Sequence, residues 1–254
     1  MPKTEFIELG DGEQIPILYE DRSVIAIDKP PGWMLVPVSW QKTDRNLHAA
    51  ILSSIEERRF WARSRNLKFL QHVHRLDAET SGVLLMVKSQ GAVRPFGRLF
   101  ESRQMHKRYW AVCHGRPQRP DWDCRAPLAP DPAQIGRIKV DPRAGKPAET
   151  HFKLLCSSGS FSLIEAQPVT GRTHQIRVHA ARSGTPIVGD RLYGPGITDL
   201  DGLDRFPLGL RSMWLEYANP FDGRPVRIMA AGEDFLAAFG FRIDPQGGFH
   251  SLSA

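Results

Sequence analysis

One nearly unbroken apolar run, residues 82–88 (GVLLMVK), limits the folds open to this chain more than any other stretch. The run is shorter than a typical helix and has the length of a strand. Because polar and apolar residues do not alternate in it, such a strand has to be covered on both faces. The chain must therefore build a sheet with other elements packed on it, and its 254 residues suffice for that core.

Further short strands are separated by residues typical of turns. Strands are predicted on either side of Asp21-Arg22, and two more flank the SSGS turn at residues 157–160. A last hairpin is predicted around residues 221–223. Together these segments predict an α+β fold with a mixed, largely antiparallel central β-sheet and flanking helices and loops.

Three helices are predicted between the strands. Apolar residues recur at helical spacing from Leu47, and Asn46 is placed to cap that helix. A second helix follows the apolar run, with Pro95 in its first turn, where the missing N–H costs nothing. A third, within residues 171–184, is expected to be capped by Thr173 and closed by a glycine.

The chain shows no linker between independent domains. Residues 1–14 are predicted to be a flexible leader, residues 15–240 a single folded domain, and residues 241–254 a C-terminal tail. Residues 117–148, called the insert below, are rich in Pro, Asp, Arg and Gly. This composition predicts loops with short hairpins and no thick core.

Charge and cysteine content restrict the partners and the compartment. A net charge of +6, with a surplus rich in arginine, suits a polyanion better than a small neutral substrate. The three cysteines are too few and too scattered for a disulfide framework, which indicates a reducing compartment. There is no signal peptide and no apolar run of about 20 residues for a membrane span. We expect a cytoplasmic protein without membrane contact.

Asp77 is the first candidate for chemistry. It lies in HRLDAETSG, directly before the apolar run, so a buried strand would fix its position within the tolerance that catalysis needs. Arg75 is two residues away, and Glu79 offers a second carboxylate of the kind that glycosidases pair. Two carboxylates so close in one turn rarely face the same bond. A plain turn residue is the alternative reading of Asp77.

A second candidate group lies in GRTHQIRVHAARSG, residues 171–184. Arg172 is near the predicted helix start, where backbone N–H groups favour phosphate. Arg177 stands between apolar neighbours and is expected to point inward, where an unpaired charge would be very costly. Asp77 is the candidate anion, and the pair would hold that carboxylate ionised. An ordinary basic surface helix is the alternative.

Tyr109 belongs to a third group, HKRYWAV, in which basic residues precede an aromatic pair on a predicted strand. Rings that stack on bases and cations that meet phosphates are how proteins hold single-stranded or flipped nucleotides. An edge strand with a core tyrosine is the alternative. Phosphate-binding glycine loops and the serine elbow are absent from the sequence, so no cofactor is expected.

Four histidines, His72, His74, His174 and His179, raise the question of a metal. The sequence has no HExxH motif, and no nearby thiolate or carboxylate set completes a ligand shell. We therefore expect no metal site and interpret these histidines as hydrogen-bonding or RNA-contacting residues.

Taken together and in order, these segments resemble the RluA-type family of RNA pseudouridine synthases. HRLDAETSGVLLM is similar to the family's catalytic motif, KRYWAV to its tyrosine motif, and VTGRTHQIRVH with PIVGDRLYG to its third. The opening strands ending in KPPG and the closing RSMWLEYANPFDGRPVRI also match. The resemblance runs from about residue 15 to about residue 235.

The resemblance implies the reaction and its catalytic residues. These enzymes break the bond between uracil N1 and the ribose, turn the base and rejoin it through C5, without a cofactor. Asp77 would be the catalytic aspartate, as nucleophile or as base at the sugar. Tyr109 would stack on the uracil, and Arg177 would pair with Asp77.

The resemblance also implies residues that contact or support the RNA. Arg75 would fill the gap left by the flipped nucleotide, whose extrusion costs a few kcal/mol. Ile176 would pack under the base, and Lys29 would support the site from the opening strands. Arg172 and His174 are expected to bind substrate. The expected partner is a stem-loop of rRNA or tRNA, and the expected state is a monomer.

Many relatives carry an N-terminal RNA-binding module, and the short leader leads us to expect that this module is absent. Target selection is then expected from the catalytic domain, through the insert or through basic residues near Arg94, Arg98 and Arg103. Two other functions stay open at this point. One is an RNA-binding relative without activity, and the other is a glycosidic-bond hydrolase that uses Asp77 and Glu79.

Overall fold

The computed structural model describes residues 3–35, 45–195 and 202–252. In chain order its elements are β1 (Phe6–Glu8), β2 (Gln14–Glu20), β3 (Val24–Lys29), α1 (Leu47–Glu56), α2 (Phe60–Arg63), β4 (Gln71–His72), β5 (Ser81–Val87), α3 (Gln90–Glu101), β6 (His106–His114), β7 (Asp121–Cys124), β8 (Leu128–Pro130), β9 (Ile138–Val140), β10 (Thr150–Ser158), β11 (Phe161–Pro168), α4 (Gln175–Arg182), α5 (Gly202–Arg205), β12 (Leu210–Ala218), β13 (Pro225–Met229), α6 (Glu233–Ala238), β14 (Phe241–Ile243) and β15 (Phe249–Ser251).

The chain divides into two compact units, and a single catalytic domain over residues 15–240 stays a prediction. Unit 1 comprises Met1–Met105 and Trp214–Ala230, and unit 2 comprises His106–Met213 and Ala231–Ala254. The pairings within each unit, such as β3 with β5 in unit 1 and β6 with β11 in unit 2, are antiparallel. The predicted α+β class with a largely antiparallel sheet is confirmed. In the described part of the chain, no helix has the length and apolar character that a bilayer crossing requires.

Unit 1 is organised around β5, the strand formed by the apolar run. All seven of its residues are buried, which confirms a strand covered on both faces. It pairs with β3, placing Lys29 opposite Gly82. On one face it contributes to a core that includes Phe96 of α3 and Tyr217 of β12, whose rings meet edge-on at 5.6 Å.

The helices of unit 1 confirm one predicted cap and correct one predicted boundary. The Oδ1 of Asn46 accepts a hydrogen bond from Ala49 N at 3.1 Å, as a cap of α1 should. Pro95, expected in the first turn of α3, is the sixth residue of that helix, which begins at Gln90. Ser89 at the cap position would have marked this earlier start, because serine is a preferred cap residue.

The predicted flexible leader contains an ordered strand. Residues Phe6, Ile7 and Glu8 form β1 and pair with β2, and Ile7 is completely buried. A strand of three residues is too short to show a hydrophobic period, so the sequence pattern did not reveal it.

Unit 2 carries its strands in the order β6, β11, β10, β7, with Tyr109 of β6 opposite Ala166 of β11. The expected C-terminal tail is folded into this unit for residues 241–251, since β14 and β15 form a hairpin. Phe241 is fully buried, and the ring of Phe249 packs edge-on against Trp110 at 5.3 Å. These aromatic contacts fix a segment that was predicted to be a C-terminal tail.

Helix α4 forms as predicted but with a different start. The residue at its cap is His174, in the left-handed conformation with φ of 52°, and no side chain caps the helix, so the prediction for Thr173 is wrong. The predicted closure holds: Gly184 has φ of +79°, a conformation in which glycine avoids the strain of a side chain.

Candidate active site

The turn that carries Asp77 lies between β4 and β5 and is fastened to the KPPG loop that follows β3. Thr80 N donates to Asp77 O at 3.2 Å, which closes the turn on itself. Gly32 N donates to Ala78 O at 2.8 Å, which ties the turn to the loop. Gly32 has φ of +81°, so a glycine is favoured at this point of contact.

Lys29 is the main fastening of the same turn. Its side chain is completely buried, and its Nζ donates to three carbonyl oxygens: Ala78 at 2.8 Å, Thr80 at 2.9 Å and Pro30 at 3.0 Å. An ammonium has three donors, so all of them are used. Burial lowers the pKa of Lys29 to about 7, while the charges of Glu79 and Asp77 act in the opposite direction. The three bonds determine where the backbone on both sides of Glu79 lies.

The segment before Asp77 is held by histidines. The Nε2 of His74 accepts from Leu85 N at 2.9 Å, and its ring stacks on Phe100 at 4.8 Å. The ring of His72 stacks on His48 at 5.1 Å. Burial, then the nearby His48 and Arg75, lower the pKa of His72 to about 4, so this ring is neutral at pH 7.

Unit 1 therefore presents two of the predicted residues on a fixed turn. Arg75 is exposed, as a side chain that enters RNA must be, and Asp77 is partly buried. Lys29 fastens this turn, and its role in supporting the catalytic residues stays a prediction. Two of its three acceptors, the carbonyls of Ala78 and Thr80, lie about fifty positions further along the chain, so no local sequence pattern could show them.

Tyr109 is buried on β6 of unit 2, with 7% of its surface exposed. Lys107, two residues earlier and therefore on the same face of the strand, donates from Nζ to Thr170 O at 3.1 Å. Burial lowers the pKa of Lys107 to about 8. This lysine joins the strand of Tyr109 to the loop that leads into α4.

Arg177 points inward, as predicted, and is 5% exposed. Its Nε and Nη2 donate to Oδ2 and Oδ1 of Asp190, both at 2.8 Å, in the parallel geometry that a guanidinium and a carboxylate prefer. Asp190 Oδ1 also accepts from Leu192 N at 3.0 Å and Tyr193 N at 3.1 Å. The required anion is thus supplied by Asp190, which the sequence reasoning did not identify although it lies in the quoted PIVGDRLYG segment.

Tyr193 connects Arg177 to the insert. Its ring lies 5.3 Å from the guanidinium of Arg177 and 5.8 Å from that of Arg137. Its hydroxyl accepts from Ile138 N at 2.7 Å and lies 2.9 Å from Nδ1 of His174. One side chain therefore contacts the inward arginine, the start of α4 and a strand of the insert.

Hydrogen bonds through Gln175 fix the start of α4. Its Oε1 accepts from Thr170 Oγ1 at 2.7 Å and from Arg172 N at 3.0 Å. Its Nε2 donates to Glu149 O at 2.8 Å and to Thr150 Oγ1 at 2.9 Å. Gln175 is almost fully buried, and its bonds to the two threonine hydroxyls lie away from solvent. The residues that follow it on α4 are thereby held in place.

The other predicted residues of unit 2 lie on either side of this network. Ile176 is 7% exposed, whereas Arg172 is exposed and donates from Nε to Pro147 O at 3.1 Å. The pairing of Asp77 with Arg177 stays a prediction.

Among the described residues, one cluster has the composition of a metal site: Asp123, Glu149 and His151, with ligand atoms within 4.8 Å of one another. Arg125 already pairs with both carboxylates, through Nε to Glu149 at 2.8 Å and through Nη2 to Asp123 at 3.3 Å. These ion pairs account for the two acidic groups without a metal.

His179, one of the four histidines considered above, is buried, with Nδ1 2.9 Å from Thr150 Oγ1.

Comparison with known proteins assigns the chain to a family. The family model described as RNA pseudouridylate synthase matches residues 23–182. The chain belongs to the RNA pseudouridylate synthase family. The predicted RluA-type resemblance is thereby confirmed, and with it an isomerase that acts on RNA.

Individual relatives cover most of the chain. It is 36% identical to "Ribosomal large subunit pseudouridine synthase C" of Escherichia coli (strain K12) over 227 residues, which is 87% of this chain and 67% of that protein. It is 32% identical to the Vibrio cholerae protein of the same name over 92% of this chain and 71% of the relative. The synthase therefore spans about two thirds of the length of these relatives.

Solved structures agree on the fold. The human "RNA Pseudouridylate Synthase Domain Containing 1" superposes with a TM-score of 0.67 and 24% identity, covering 94% of this chain and 90% of that one. At this identity the likeness establishes the fold of the synthase and leaves its substrate to other observations.

Proposed function

We propose that this synthase converts a uridine of large-subunit ribosomal RNA to pseudouridine. The observation that carries this choice of RNA is the 36% identity over 227 residues to a relative named for the large ribosomal subunit. The net charge of +6 supports a polyanionic substrate. A tRNA stem-loop, the other substrate expected from the sequence, is the alternative for the experiment below.

In the proposed reaction Asp77 acts at the sugar of a flipped uridine. The bond from uracil N1 to ribose C1′ breaks, the base turns, and a bond from C5 to C1′ forms. The hydrogen displaced from C5 leaves as a proton, and N1 gains one, so no atom is lost and no redox cofactor is needed. Asp77 serves either as the nucleophile at C1′ or as a base at the sugar. The three hydrogen bonds of Lys29 support both roles, because each role needs a carboxylate at a fixed place.

The remaining residues hold the base and the RNA. Tyr109 stacks on the uracil and assists removal of the C5 proton, and Arg177 pairs with Asp77. Ile176 packs under the base while it turns, since a purely polar grip would have to be released midway. Arg75 fills the gap that the flipped nucleotide leaves in the RNA.

Two exposed or partly exposed groups near the start of α4 complete the proposal. Arg172 meets phosphate, and His174, partly buried beside Tyr193, contacts the substrate. We further propose a monomer that works in the cytoplasm. Three cysteines without a disulfide partner support a reducing compartment.

The test is pseudouridine mapping after incubation of the purified protein with two RNAs: a large-subunit rRNA transcript and a pool of unmodified tRNA transcripts. Pseudouridine at a defined rRNA position, with none in tRNA, is the expected result. Product in tRNA alone would overturn the rRNA assignment. Release of free uracil would indicate a hydrolase, and RNA binding without any product would indicate an inactive relative.

A further inference from the structure

The insert carries a short hairpin with an exposed apolar tip. We call β8, β9 and the tip residues 132–136 between them the insert hairpin. Ile135, at the tip, has 97% of its surface exposed, more than any other exposed large apolar side chain in the described ranges. With so little of its surface covered by the described residues, Ile135 contributes almost nothing to the core of unit 2.

The tip is an ordered turn and not a loose loop. Asp131 N donates to Arg137 O at 2.9 Å, Gln134 N to Asp131 O at 3.3 Å, and Arg137 N to Gln134 O at 3.1 Å. Gly136 has φ of +83°, which lets the chain reverse directly after Ile135. The turn therefore holds the apolar side chain outward at a defined place.

The base of the insert hairpin is fixed to α4. Leu128 of β8 and Val178 of α4 belong to one small buried cluster, against which Ile138 and Tyr193 pack. Tyr193 accepts a hydrogen bond from Ile138 N at 2.7 Å, and its ring lies 5.3 Å from the guanidinium of Arg177. The hairpin is thus attached to the helix that carries Arg177, with apolar packing and a hydrogen bond at the joint.

The surface around the insert hairpin is cationic. Residues 125–148 contain five basic and two acidic residues. Arg143 and Lys146 are exposed, and exposed Arg172 is joined to the same segment by its bond to Pro147 O at 3.1 Å. Exposed cations on the same segment as an exposed apolar tip suit a partner that offers both phosphates and flat base or sugar surfaces. Among macromolecules, RNA has this combination.

We infer that the insert hairpin is an RNA-docking element, in which Ile135 packs against an unstacked base or ribose beside the target uridine and Arg143 and Lys146 meet phosphates. This inference rests on the proposed function and extends it to how the RNA is selected. Its physical basis is that the hairpin is attached to α4, so the distance between Ile135 and Arg177 is fixed. Only an RNA with an unstacked base or ribose at that distance from the target uridine would contact both residues.

The test compares four variants on the rRNA fragment that contains the mapped uridine. Ile135→Ser removes the apolar tip, Ile135→Leu keeps it, and Met229→Ser is a matched control at an exposed apolar residue of unit 1, 58% exposed. The double variant Arg143→Ala, Lys146→Ala removes two cations. The equilibrium Kd and the single-turnover rate at saturating RNA are measured for each.

The expected result is a Kd at least fivefold higher for Ile135→Ser, with Ile135→Leu and Met229→Ser within twofold of the unaltered protein. The saturated rate stays within threefold in all three, since the tip acts in docking. The double variant is expected to lower the log–log salt slope of binding by about 2, close to one for each lost phosphate contact.

A Kd for Ile135→Ser equal to that of Met229→Ser would overturn the inference, as would an unchanged salt slope in the double variant. The proposed function fails in a different way: the unaltered protein would then form no pseudouridine in the rRNA. Failure of the docking inference is therefore seen in the variants, and failure of the proposed function is seen in the unaltered protein.

Discussion

At the scale of single residues, this structure shows how a carboxylate in a turn can be given a fixed position. All three N–H donors of Lys29 bond to backbone carbonyls, and two of these carbonyls belong to the segment from Asp77 to Thr80. The lysine holds the turn that carries Asp77, and we propose no substrate contact for the lysine itself.

Replacement of Lys29 by methionine is expected to lower the single-turnover rate about 100-fold, the cost that a misplacement of about 1 Å can have. Methionine fills similar space but removes the ammonium that donates to the carbonyls of Pro30, Ala78 and Thr80. Lys88→Met is the control, because Lys88 is also a largely buried lysine of unit 1 but bonds to Glu20 at 2.8 Å. Activity of Lys29→Met within threefold of the unaltered protein would contradict the positioning role.

His72 predicts how the stability of the protein depends on pH. Its folded-state pKa of about 4 lies below its ordinary value of 6.5. Between these values the unfolded chain binds more protons than the folded one, so the stability is complete above pH 6.5 and decreases as the pH falls towards 4.

His72→Phe keeps a ring against His48 but cannot titrate. We expect the melting temperature of this variant to fall less between pH 7 and pH 5 than that of the unaltered protein. His106→Phe, at an exposed histidine, should retain the full pH dependence. Equal falls in the melting temperature for His72→Phe and the unaltered protein would refute the assignment.

At the scale of elements, the buried pair of Arg177 and Asp190 joins α4 to the loop at residues 190–193. Both side chains are almost fully buried. A buried ion pair adds little when both partners are replaced, but removal of one partner leaves an uncompensated charge. The pair therefore makes the position of α4 depend on a loop that lies later in the chain.

Asp190→Asn is expected to lower the free energy of unfolding by about 3 kcal/mol, the lower end of the cost of breaking a buried pair. Arg177→Met and the double variant complete a double-mutant cycle in urea. The expected coupling energy is above about 2 kcal/mol, within the range for residues in direct contact. A coupling energy near zero would show that the pair does not act as a unit.

The elements also show what local sequence can and cannot reveal. The apolar run predicted β5, and the turn residues predicted the β10–β11 and β12–β13 hairpins. Each of these predictions depends only on residues within a few positions of each other. The prediction that Thr173 caps α4 was wrong, because the residue at the cap, His174, is held by a tertiary contact with Tyr193. Strands β1, β14 and β15 were missed because three residues do not show a period.

The same distinction applies to the candidate site. An inward Arg177 that needs an anion followed from its apolar neighbours. That the anion is Asp190, thirteen positions further on, depends on the path of the chain after α4, which no local pattern contains. Likewise, Lys29 was assigned a supporting role by resemblance, and its three acceptors became known only from the fold.

At the scale of the whole molecule, the positive net charge of the synthase suits its RNA substrate. The net charge of +6 predicts binding that weakens steeply as salt increases, because phosphate contacts release counterions. The candidate residues are distributed along the chain from Lys29 to Arg177. Catalysis by Asp77 is the claim on which the other assignments depend.

The most direct test is the single-turnover formation of pseudouridine in the large-subunit rRNA fragment by the unaltered protein and by Asp77→Asn. The substitution keeps the size of the side chain and removes its charge. The account predicts that Asp77→Asn forms no detectable pseudouridine while its Kd for the RNA stays within a few-fold. Pseudouridine formed by Asp77→Asn at a rate near that of the unaltered protein would contradict it.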